Sequence, residues 1–517
     1  MRKLPCLVVL IALALLSVPV RARAAQDKPN ILFILADDLG YGDLQCLNAK
    51  GKIPTPHLDR MAKGGMIFKD AHSSSAVCTP TRYSVMTGRY NWRSTLKRGV
   101  LGGFSQRLIE EGRLTVAQML RDRGYQTACI GKWHLGMDFP LQGGGAAKGY
   151  PDSRNVDWTK PIQNGPTAVG FDEYFGISAS LDMPPWVYLE NEKATAQPDH
   201  EAELWKGRPG PAITGWAMEE VLPLLTQRAV DYVGRSSKAG RPFFLYLPLN
   251  SPHTPIAPSK EWKGKSGISE YADFVMQTDW SVGQVLEALE KAGVADDTAV
   301  FFTSDNGCSP MANFEELARF GHNPSYEFRG HKADIFDGGH RVPFLVRWPA
   351  QVRAGSVYEH PVCLVDFMAT AAALAGAQLP ENAGEDSVSL LGVLSGKTSE
   401  PVHEAVIHHS INGSFAIRQG AWKLELCASS GGWSAPTPGS KEAVGLPETQ
   451  LYDLSKDIGE THNVVAENPE VARRLTALLE RYIANGRSTP GGPQENTTPV
   501  QITDPSREKQ KAGKAKK

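Results

Sequence analysis

Residues 31–38 read Ile-Leu-Phe-Ile-Leu-Ala-Asp-Asp, six apolar residues followed by two aspartates. A short apolar run of this kind is typical of a strand that is buried on both faces of a sheet. Helical spacing of apolar residues over 114–123, 216–233 and 270–292 predicts crossover helices between such strands. We therefore predict an α/β fold, in which helices flank a large mixed and mostly parallel sheet. The further predicted strands are Gln126-Thr-Ala-Cys-Ile130, Phe243-Phe-Leu-Tyr-Leu247 and Ala299-Val-Phe-Phe-Thr303.

Chemically active side chains follow all four predicted strands. Open α/β sheets bind their ligands at the carboxyl ends of the strands, so these side chains are predicted to meet in one crevice. For any one of them a simple role as a strand or turn cap is common, but four together favour a site. The residues are Asp37 and Asp38, Lys132 and His134, His253, and Asp305 and Asn306.

The pattern changes after about Pro380. Short runs at 406–409, 415–418, 422–426 and 451–454 predict antiparallel strands. A closing helix is predicted, with Asn468 as its N-cap, Pro469 as its first residue and Gly486 beyond its end. We predict a catalytic domain over 26–385, a smaller C-terminal α+β domain of antiparallel strands plus one helix over 386–490, and a disordered tail over 491–517. The stretch 140–211, rich in Gly, Pro and Trp, is predicted to form loops over the crevice.

Composition and the first residues restrict the class of protein. The 517 residues are 41% hydrophobic, and 55 Lys and Arg against 56 Asp and Glu leave no positive surplus for nucleic-acid binding. Met1-Arg2-Lys3, an apolar run over 7–20 and Ala22-Arg23-Ala24 predict a signal peptide over 1–25. We therefore expect export to the periplasm or the exterior, without a stable membrane span. Seven cysteines without a C-x-x-C pair argue against a zinc ribbon or a disulfide framework.

The most specific motif is Cys78-Thr-Pro-Thr-Arg82, which precedes a helical-looking segment. Together with Asp37-Asp38 and the motifs below, all in the expected order, it resembles the formylglycine-dependent sulfatases of the alkaline phosphatase superfamily. The resemblance covers about residues 29–487 and is closest to arylsulfatase A and N-acetylgalactosamine-6-sulfatase relatives. One departure is Asp337, where many members have Glu. The other motifs are Gly131-Lys-Trp-His-Leu-Gly136, Ser251-Pro-His-Thr254, Ser304-Asp-Asn-Gly307, Arg329-Gly-His-Lys332 and Gly338-Gly-His-Arg-Val-Pro343.

The resemblance implies a catalytic role for six of these residues. It implies that a formylglycine-generating or anaerobic maturation enzyme oxidises Cys78 to formylglycine (3-oxoalanine), whose hydrate attacks sulfur to form a covalent sulfate ester. Arg82 and Lys132 would neutralise the hydrate and the metal shell, and His134 would act as the base in sulfate elimination. His253 and Lys332 would bind sulfate and assist the leaving alcohol.

A single divalent cation is also expected. Asp37, Asp38, Asp305 and the Asn306 amide offer oxygen ligands, with Cys78 beside them, which suits Ca²⁺ and, less well, Mg²⁺. Two-zinc hydrolases of the same superfamily often have Asp-His where this chain has Asp305-Asn306, which favours one ion.

The substrate is predicted to be a sulfated carbohydrate. Ser180, Asp182, Trp186 and His322 are candidate substrate-binding residues, and His408 and Trp433 lie on segments that could also reach a sugar. Aromatic and polar side chains are equally ordinary in exposed loops. The alternatives are a formylglycine-dependent phosphonate or phosphate ester hydrolase and a catalytically silent binding protein on the same fold; the intact set of reactive residues argues against the last.

Overall fold

The computed structural model describes residues 28–502, so the predicted signal peptide and residues 503–517 lie outside the described residues. No helix in the described part of the chain is long and apolar enough to cross a bilayer. The helices are α1 Pro56–Lys63, α2 Cys78–Thr87, α3 Val116–Asp122, α4 Val221–Ser236, α5 Glu270–Lys291, α6 Phe314–Arg319, α7 Asp337–His340, α8 Phe367–Leu374, α9 Leu391–Leu394 and α10 Pro469–Ala484.

The strands form one large sheet, one four-stranded sheet and two small pairs. They are β1 Asn30–Ala36, β2 Met66–Phe68, β3 Ala71–His72, β4 Gln126–Lys132, β5 Glu173–Ile177, β6 Leu189–Glu190, β7 Lys193–Ala194, β8 His200–Ala202, β9 Gly210–Ala212, β10 Phe243–Pro248, β11 Thr298–Ser304, β12 Phe344–Arg347, β13 Ser356–Tyr358, β14 Val362–Cys363, β15 Val406–His409, β16 Phe415–Gln419, β17 Trp422–Glu425 and β18 Gln450–Asp453.

The large sheet has ten strands in the order β13-β2-β12-β11-β1-β10-β4-β5-β6-β7. Its centre, from β11 to β5, is parallel, and antiparallel strands lie on both sides of it. Ile31, Phe33 and Leu35 of β1 belong to the core on one face of the sheet, and the alternating residues of β1 belong to the core on the other face. Because both faces are covered, residues 31–36 of β1 are all apolar, as the sequence predicted.

Helices cover the two faces. α4 and α5 pack against each other over one face together with α1, and α2, α3 and α8 pack over the other. The predicted α/β class and all four predicted strands are confirmed. α4 begins at Val221 and not at Trp216, because Met218–Glu220 forms a 3₁₀ turn first.

The stretch 140–211 contains more structure than the predicted loops. Residues 173–177 form β5, which extends the parallel part of the sheet beside β4. Gly176 of β5 lies opposite Gly131 of β4, and a Cβ at Gly176 would be 1.8 Å from the Gly131 carbonyl oxygen. The two strands can approach here only because position 176 has no side chain. A short strand that contains a glycine has a weak sequence signal, which explains why β5 was not predicted.

The C-terminal sheet has the predicted antiparallel order β15-β16-β17-β18, and α10 packs on β16 and β17. α10 begins at Pro469 as predicted, but the Asn468 side chain donates to the Val464 carbonyl and does not cap the helix.

Part of the predicted disordered tail, residues 491–502, makes defined contacts with the rest of the described chain. Within this segment the Glu495 carbonyl and the Thr497 hydroxyl accept hydrogen bonds from Arg89, and Val500 and Ile502 pack on the core beneath α10. A polar composition therefore conceals a segment that buried arginines hold in place.

Candidate active site

Cys78 is the first residue of α2 and is 2% exposed. Its Sγ lies 3.6 Å from Asp37 Oδ1, which directly follows β1. Burial raises the pKa of the Cys78 thiol, although Lys132 and Lys332 oppose the shift. The unmodified thiol is therefore protonated at neutral pH and is a poor nucleophile in this position.

Arg82 lies one turn after Cys78 on α2, so the two side chains share one helix face. Its Nε and Nη2 donate to Asp305 Oδ2 at 3.0 and 2.7 Å, and its Nη1 donates to the Lys132 carbonyl at 3.0 Å. Nη2 is also 3.7 Å from Asp37 Oδ1. This fully buried guanidinium thus joins the ends of β1, β4 and β11.

Two lysines face the two aspartates that follow β1. Lys132 Nζ is 2.5 Å from Asp37 Oδ2, and Lys332 Nζ is 2.7 Å from Asp38 Oδ1. Burial raises the pKa of Asp37, but the attraction of Lys132, His253 and Arg82 outweighs burial and holds this pKa well below its usual value. Burial lowers the pKa of Lys332, whereas Asp38 raises it more strongly, so the ammonium stays charged.

Asp305 and Asn306, which follow β11, complete the set of oxygen donors. Asp305 Oδ1 accepts from the Asp38 amide at 3.3 Å, and burial together with Asp37 raises the pKa of Asp305 to about 6. Asn306 Nδ2 donates to Asp38 Oδ1 at 2.7 Å and to the Gly307 carbonyl at 2.9 Å, which fixes the orientation of the amide. Asn306 Oδ1 is then buried without a hydrogen-bond partner. A buried oxygen without a hydrogen-bond partner, beside three carboxylates, fits a binding site for a hard cation.

The two predicted catalytic histidines each use one ring nitrogen to bond a backbone carbonyl. His134 Nε2 donates to the Leu101 carbonyl at 2.8 Å, which leaves Nδ1 buried and without a partner. Burial, with Lys132 and Arg82, holds the pKa of His134 well below its usual value, so the ring is neutral. His253 Nδ1 donates to the Thr254 carbonyl at 2.5 Å, and its Nε2 is 3.6 Å from Asp38 Oδ2. Burial lowers the pKa of His253.

The donor set fits a divalent cation. Ligand atoms of Asp37, Asp38, Cys78 and His253 lie within 4.8 Å of one another, and all four residues are buried. The carboxylates and the free Asn306 oxygen are hard ligands, the class that Ca²⁺ and Mg²⁺ prefer.

Two of the predicted substrate-binding residues are buried and bonded to other parts of the protein. Trp186 is fully buried and its indole Nε1 donates to the Leu181 carbonyl at 2.8 Å. His322 is also buried, because its Nε2 bonds Asp43 Oδ1 at 2.8 Å and its Nδ1 accepts from the Lys52 amide. Both side chains therefore have partners within the protein, and their role as substrate ligands stays a prediction.

Ser180 and Asp182 remain candidates, because the Ser180 hydroxyl and Asp182 Oδ1 are buried without partners. The other Asp182 oxygen forms an ion pair with Arg208. Trp433 is 46% exposed, and its backbone amide donates to Asp334 Oδ1, two residues after Lys332.

Asn250 was missed by the sequence analysis. It lies just beyond β10, it is buried, and neither side-chain amide atom has a partner. The rule that predicted Asp37 and Asp305, a polar residue at a strand's carboxyl end, also applies to Asn250.

Comparisons with known proteins find one family profile and several relatives that match most of the chain. The sulfatase family profile matches residues 29–377. N-acetylgalactosamine-6-O-sulfatase of Bacteroides thetaiotaomicron is 33% identical over 502 residues, covering 88% of this chain and 93% of that protein. Human arylsulfatase A is 32% identical over 475 residues and covers 88% of each chain. A solved sulfatase structure from work on glycosaminoglycan metabolism by B. thetaiotaomicron is 33% identical, with a TM-score of 0.76 over 88% of this chain and 99% of that one.

Proposed function

Because this chain belongs to the sulfatase family and is a sulfuric ester hydrolase, we propose that it desulfates carbohydrates through a formylglycine made from Cys78. The observation that carries the proposal is the surroundings of Cys78. This buried thiol lies among three carboxylates and three positively charged side chains, and because it is protonated it is a poor nucleophile. An aldehyde hydrate in its place would supply a hydroxyl nucleophile within reach of the same groups.

The charge balance of the site supports the presence of a cation. The three carboxylates and the three basic side chains cancel when all are ionised and the histidines are neutral. A divalent cation would bring the site to two positive charges, which matches the two negative charges of inorganic sulfate, and it would neutralise the sulfate oxygens. We propose that this cation is Ca²⁺ and that it lies beside position 78, bound by Asp37, Asp38, Asp305 and Asn306. Mg²⁺ is the weaker candidate.

His134, Lys332 and His253 are proposed to have separate roles in proton transfer and charge stabilisation. His134 is neutral with a free Nδ1, so it suits the role of base during sulfate release. Lys332 keeps its charge beside Asp38, so it suits stabilisation of the negative charge that develops on the leaving alcohol, together with His253. Arg82 holds Asp305 and the Lys132 carbonyl in fixed positions, and Lys132 neutralises Asp37.

For the substrate we propose a sulfated glycosaminoglycan fragment. This rests on the 33% identity to an N-acetylgalactosamine-6-O-sulfatase over most of both chains. Ser180 and Asp182, with buried unpartnered oxygens, are the proposed substrate contacts.

Two further parts of the proposal concern the export of the chain and the oxidation of Cys78. The signal peptide proposed for residues 1–25 would direct it to the periplasm or the exterior. A formylglycine-generating or anaerobic maturation enzyme would have to oxidise Cys78.

The test combines mass spectrometry with rates of ester hydrolysis. Peptides that contain position 78 are expected to lose about 18 Da relative to cysteine, the change from thiol to aldehyde. The converted enzyme is expected to release sulfate from N-acetylgalactosamine-6-sulfate units, and Cys78→Ala should abolish this release. Cys308→Ala, which changes another buried cysteine, should retain it.

Two results would overturn the proposal. An unconverted Cys78 in an enzyme that is fully active on sulfate esters would remove the formylglycine step. A converted enzyme that hydrolyses matched aryl phosphates or phosphonates but no sulfate ester would support the phosphonate or phosphate ester alternative.

A further inference from the structure

Three fully buried histidines meet where β3 and α7 contact the C-terminal sheet. His72 ends β3, His340 ends α7 and His408 lies in β15. One nitrogen from each ring lies within 4.8 Å of the others. This His72–His340–His408 cluster is outside the proposed active site, although the Ser73 amide beside it donates to the His340 carbonyl and begins the segment that leads to Cys78.

Hydrogen bonds fix the tautomers of two of the rings. His72 Nε2 is 2.7 Å from Asp70 Oδ1, an acceptor, and 3.1 Å from Arg418 Nη1, a donor that also pairs with Asp70; from the shorter contact we assign the proton to Nε2. His340 Nε2 is 2.9 Å from the Ile335 carbonyl, so this nitrogen is also protonated. In the neutral rings both Nδ1 atoms therefore hold lone pairs, yet they lie 3.0 Å apart. Two facing lone pairs repel each other unless a cation lies between them.

The third ring adds another free lone pair. His408 Nδ1 faces the Ser73 carbonyl at 3.4 Å, and its Nε2 is buried without any partner.

The outer contacts are those of metal-binding histidines. Such rings donate their second N–H to a carboxylate or a backbone carbonyl, which fixes the tautomer and the ring orientation. His72 does so to Asp70, His340 to Ile335 and His408 toward Ser73. Two nitrogen ligands of a tetrahedral zinc are roughly 3.3 Å apart, close to the separation of the His72 and His340 nitrogens.

Charged side chains surround the cluster on several elements. Asp70 pairs with Arg418 of β16 and Arg341, and Asp337 of α7 pairs with Lys423 of β17 and Arg341. Since these carboxylates already have cationic partners, the imidazoles are the groups left to bind an ion.

We propose that His72, His340 and His408 bind one imidazole-preferring transition metal ion, Zn²⁺ in the first place. The ion ties the segment before Cys78, the segment after Lys332 and the C-terminal sheet together. The rings of His340 and His408 are stacked, with centroids 3.9 Å apart, so the His408 ring tilts out of the stack when the ion binds.

The test is metal analysis of the full mature chain, produced in defined medium that contains Zn²⁺ or Co²⁺, because a fully buried site must fill during folding. About one zinc per chain is expected, with three imidazole nitrogens at about 2.0 Å in X-ray absorption spectra. The cobalt protein should show the visible bands of a tetrahedral ion.

Variants assign the ion to its site. His408→Phe keeps the ring shape and removes the free Nε2, and it should lower the bound zinc at least tenfold. His409→Phe makes the same change at the next buried residue of β15, outside the cluster, and should keep the zinc. Cys78→Ala should also keep it, since the proposed active-site cation is a separate ion.

Wild-type protein that contains neither zinc nor cobalt would overturn the proposal and indicate a proton shared by His72 and His340. Zinc that persists at full occupancy in folded His408→Phe would place the ion elsewhere and overturn it equally. Should His408→Phe fail to fold, the absorption spectra of the wild-type zinc protein decide between three imidazoles and any other ligand set.

Discussion

Asn306→Ala is the most direct test of the proposed cation. The change removes the orphaned Oδ1 and the two hydrogen bonds that Nδ2 donates to Asp38 and Gly307. Without the cation, two lost hydrogen bonds at about 0.5–1.5 kcal/mol each lower the free energy of unfolding by about 1–3 kcal/mol. This loss is expected whether or not Asn306 is a ligand.

The dependence on Ca²⁺ separates the two roles. Ca²⁺ at 1,000 times its dissociation constant stabilises the wild type by about 4.1 kcal/mol. A 100-fold weaker site, a reasonable cost for one lost ligand, leaves about 1.4 kcal/mol at the same Ca²⁺ concentration. Urea unfolding of each protein with Ca²⁺ and with EDTA measures this difference.

Two variants serve as controls. Asn30→Ala changes another buried asparagine with two hydrogen bonds, at the opposite end of β1, and should keep the full gain from Ca²⁺. Asn306→Asp places a carboxylate beside Asp38, so it should be less stable than wild type in EDTA and gain more from Ca²⁺. An equal gain from Ca²⁺ in Asn306→Ala and wild type would refute Asn306 as a ligand.

Three further outcomes are expected. Arg82→Lys keeps the charge but cannot make all three hydrogen bonds to Asp305 and the Lys132 carbonyl. The free energy of unfolding in urea should therefore fall by about 1.5–3 kcal/mol, and kcat/KM should also fall. A variant as stable as the wild type would contradict the buried geometry of Arg82. Burial lowers the pKa of His409 from 6.5 to about 3, so this neutral ring contributes stability above pH 6.5 that is lost as the pH falls toward 3. Between pH 7.5 and 5.5 the free energy of unfolding of the wild type should fall by about 1.4 kcal/mol more than that of His409→Phe. Denaturant titration measures both values, and an equal fall in the two proteins would show that His409 is not the cause. Gly176→Ala should destabilise the protein by about 1–3 kcal/mol, because the new Cβ would meet the Gly131 carbonyl oxygen. Gly234→Ala in α4 has open space around its Cβ, so it should be neutral or stabilising by up to about 1 kcal/mol. Thermal unfolding of the two variants measures this contrast.

The sequence predicted the active-site residues best where local pattern and strand-end geometry agree. Asp37 and Asp305 each follow a buried apolar run, and parallel neighbours bring such ends to one edge of the sheet. Cys78 and Arg82 are four residues apart at the start of a helix, so they share a face. The inference for Cys78 and Arg82 needs only the periodicity of a helix. The inference for Asp37 and Asp305 needs only that neighbouring strands are parallel.

Side-chain direction in irregular segments was not predictable. Trp186 and His322 were chosen by residue type, yet each turns inward to a partner that the sequence does not reveal, the Leu181 carbonyl and Asp43. The same limit hid the His72–His340–His408 cluster, whose members come from three segments separated by up to 336 positions. No periodicity connects such residues, because only the packing of one sheet on the other brings them together.

The contacts between the two sheets bear on the predicted boundary at residue 385. Arg418 of β16 donates to both oxygens of Asp70, and Lys423 of β17 lies 2.9 Å from Asp337 Oδ1. All four side chains are buried, and breaking one such pair costs about 3–5 kcal/mol because the remaining charge stays buried. A chain that ended at 385 would leave both carboxylates without these cations, so we infer that the boundary separates two sheets but not two independently stable units. Since Asp337 lies five residues after Lys332, the C-terminal sheet thereby also helps to hold the lysine that faces Asp38 in place.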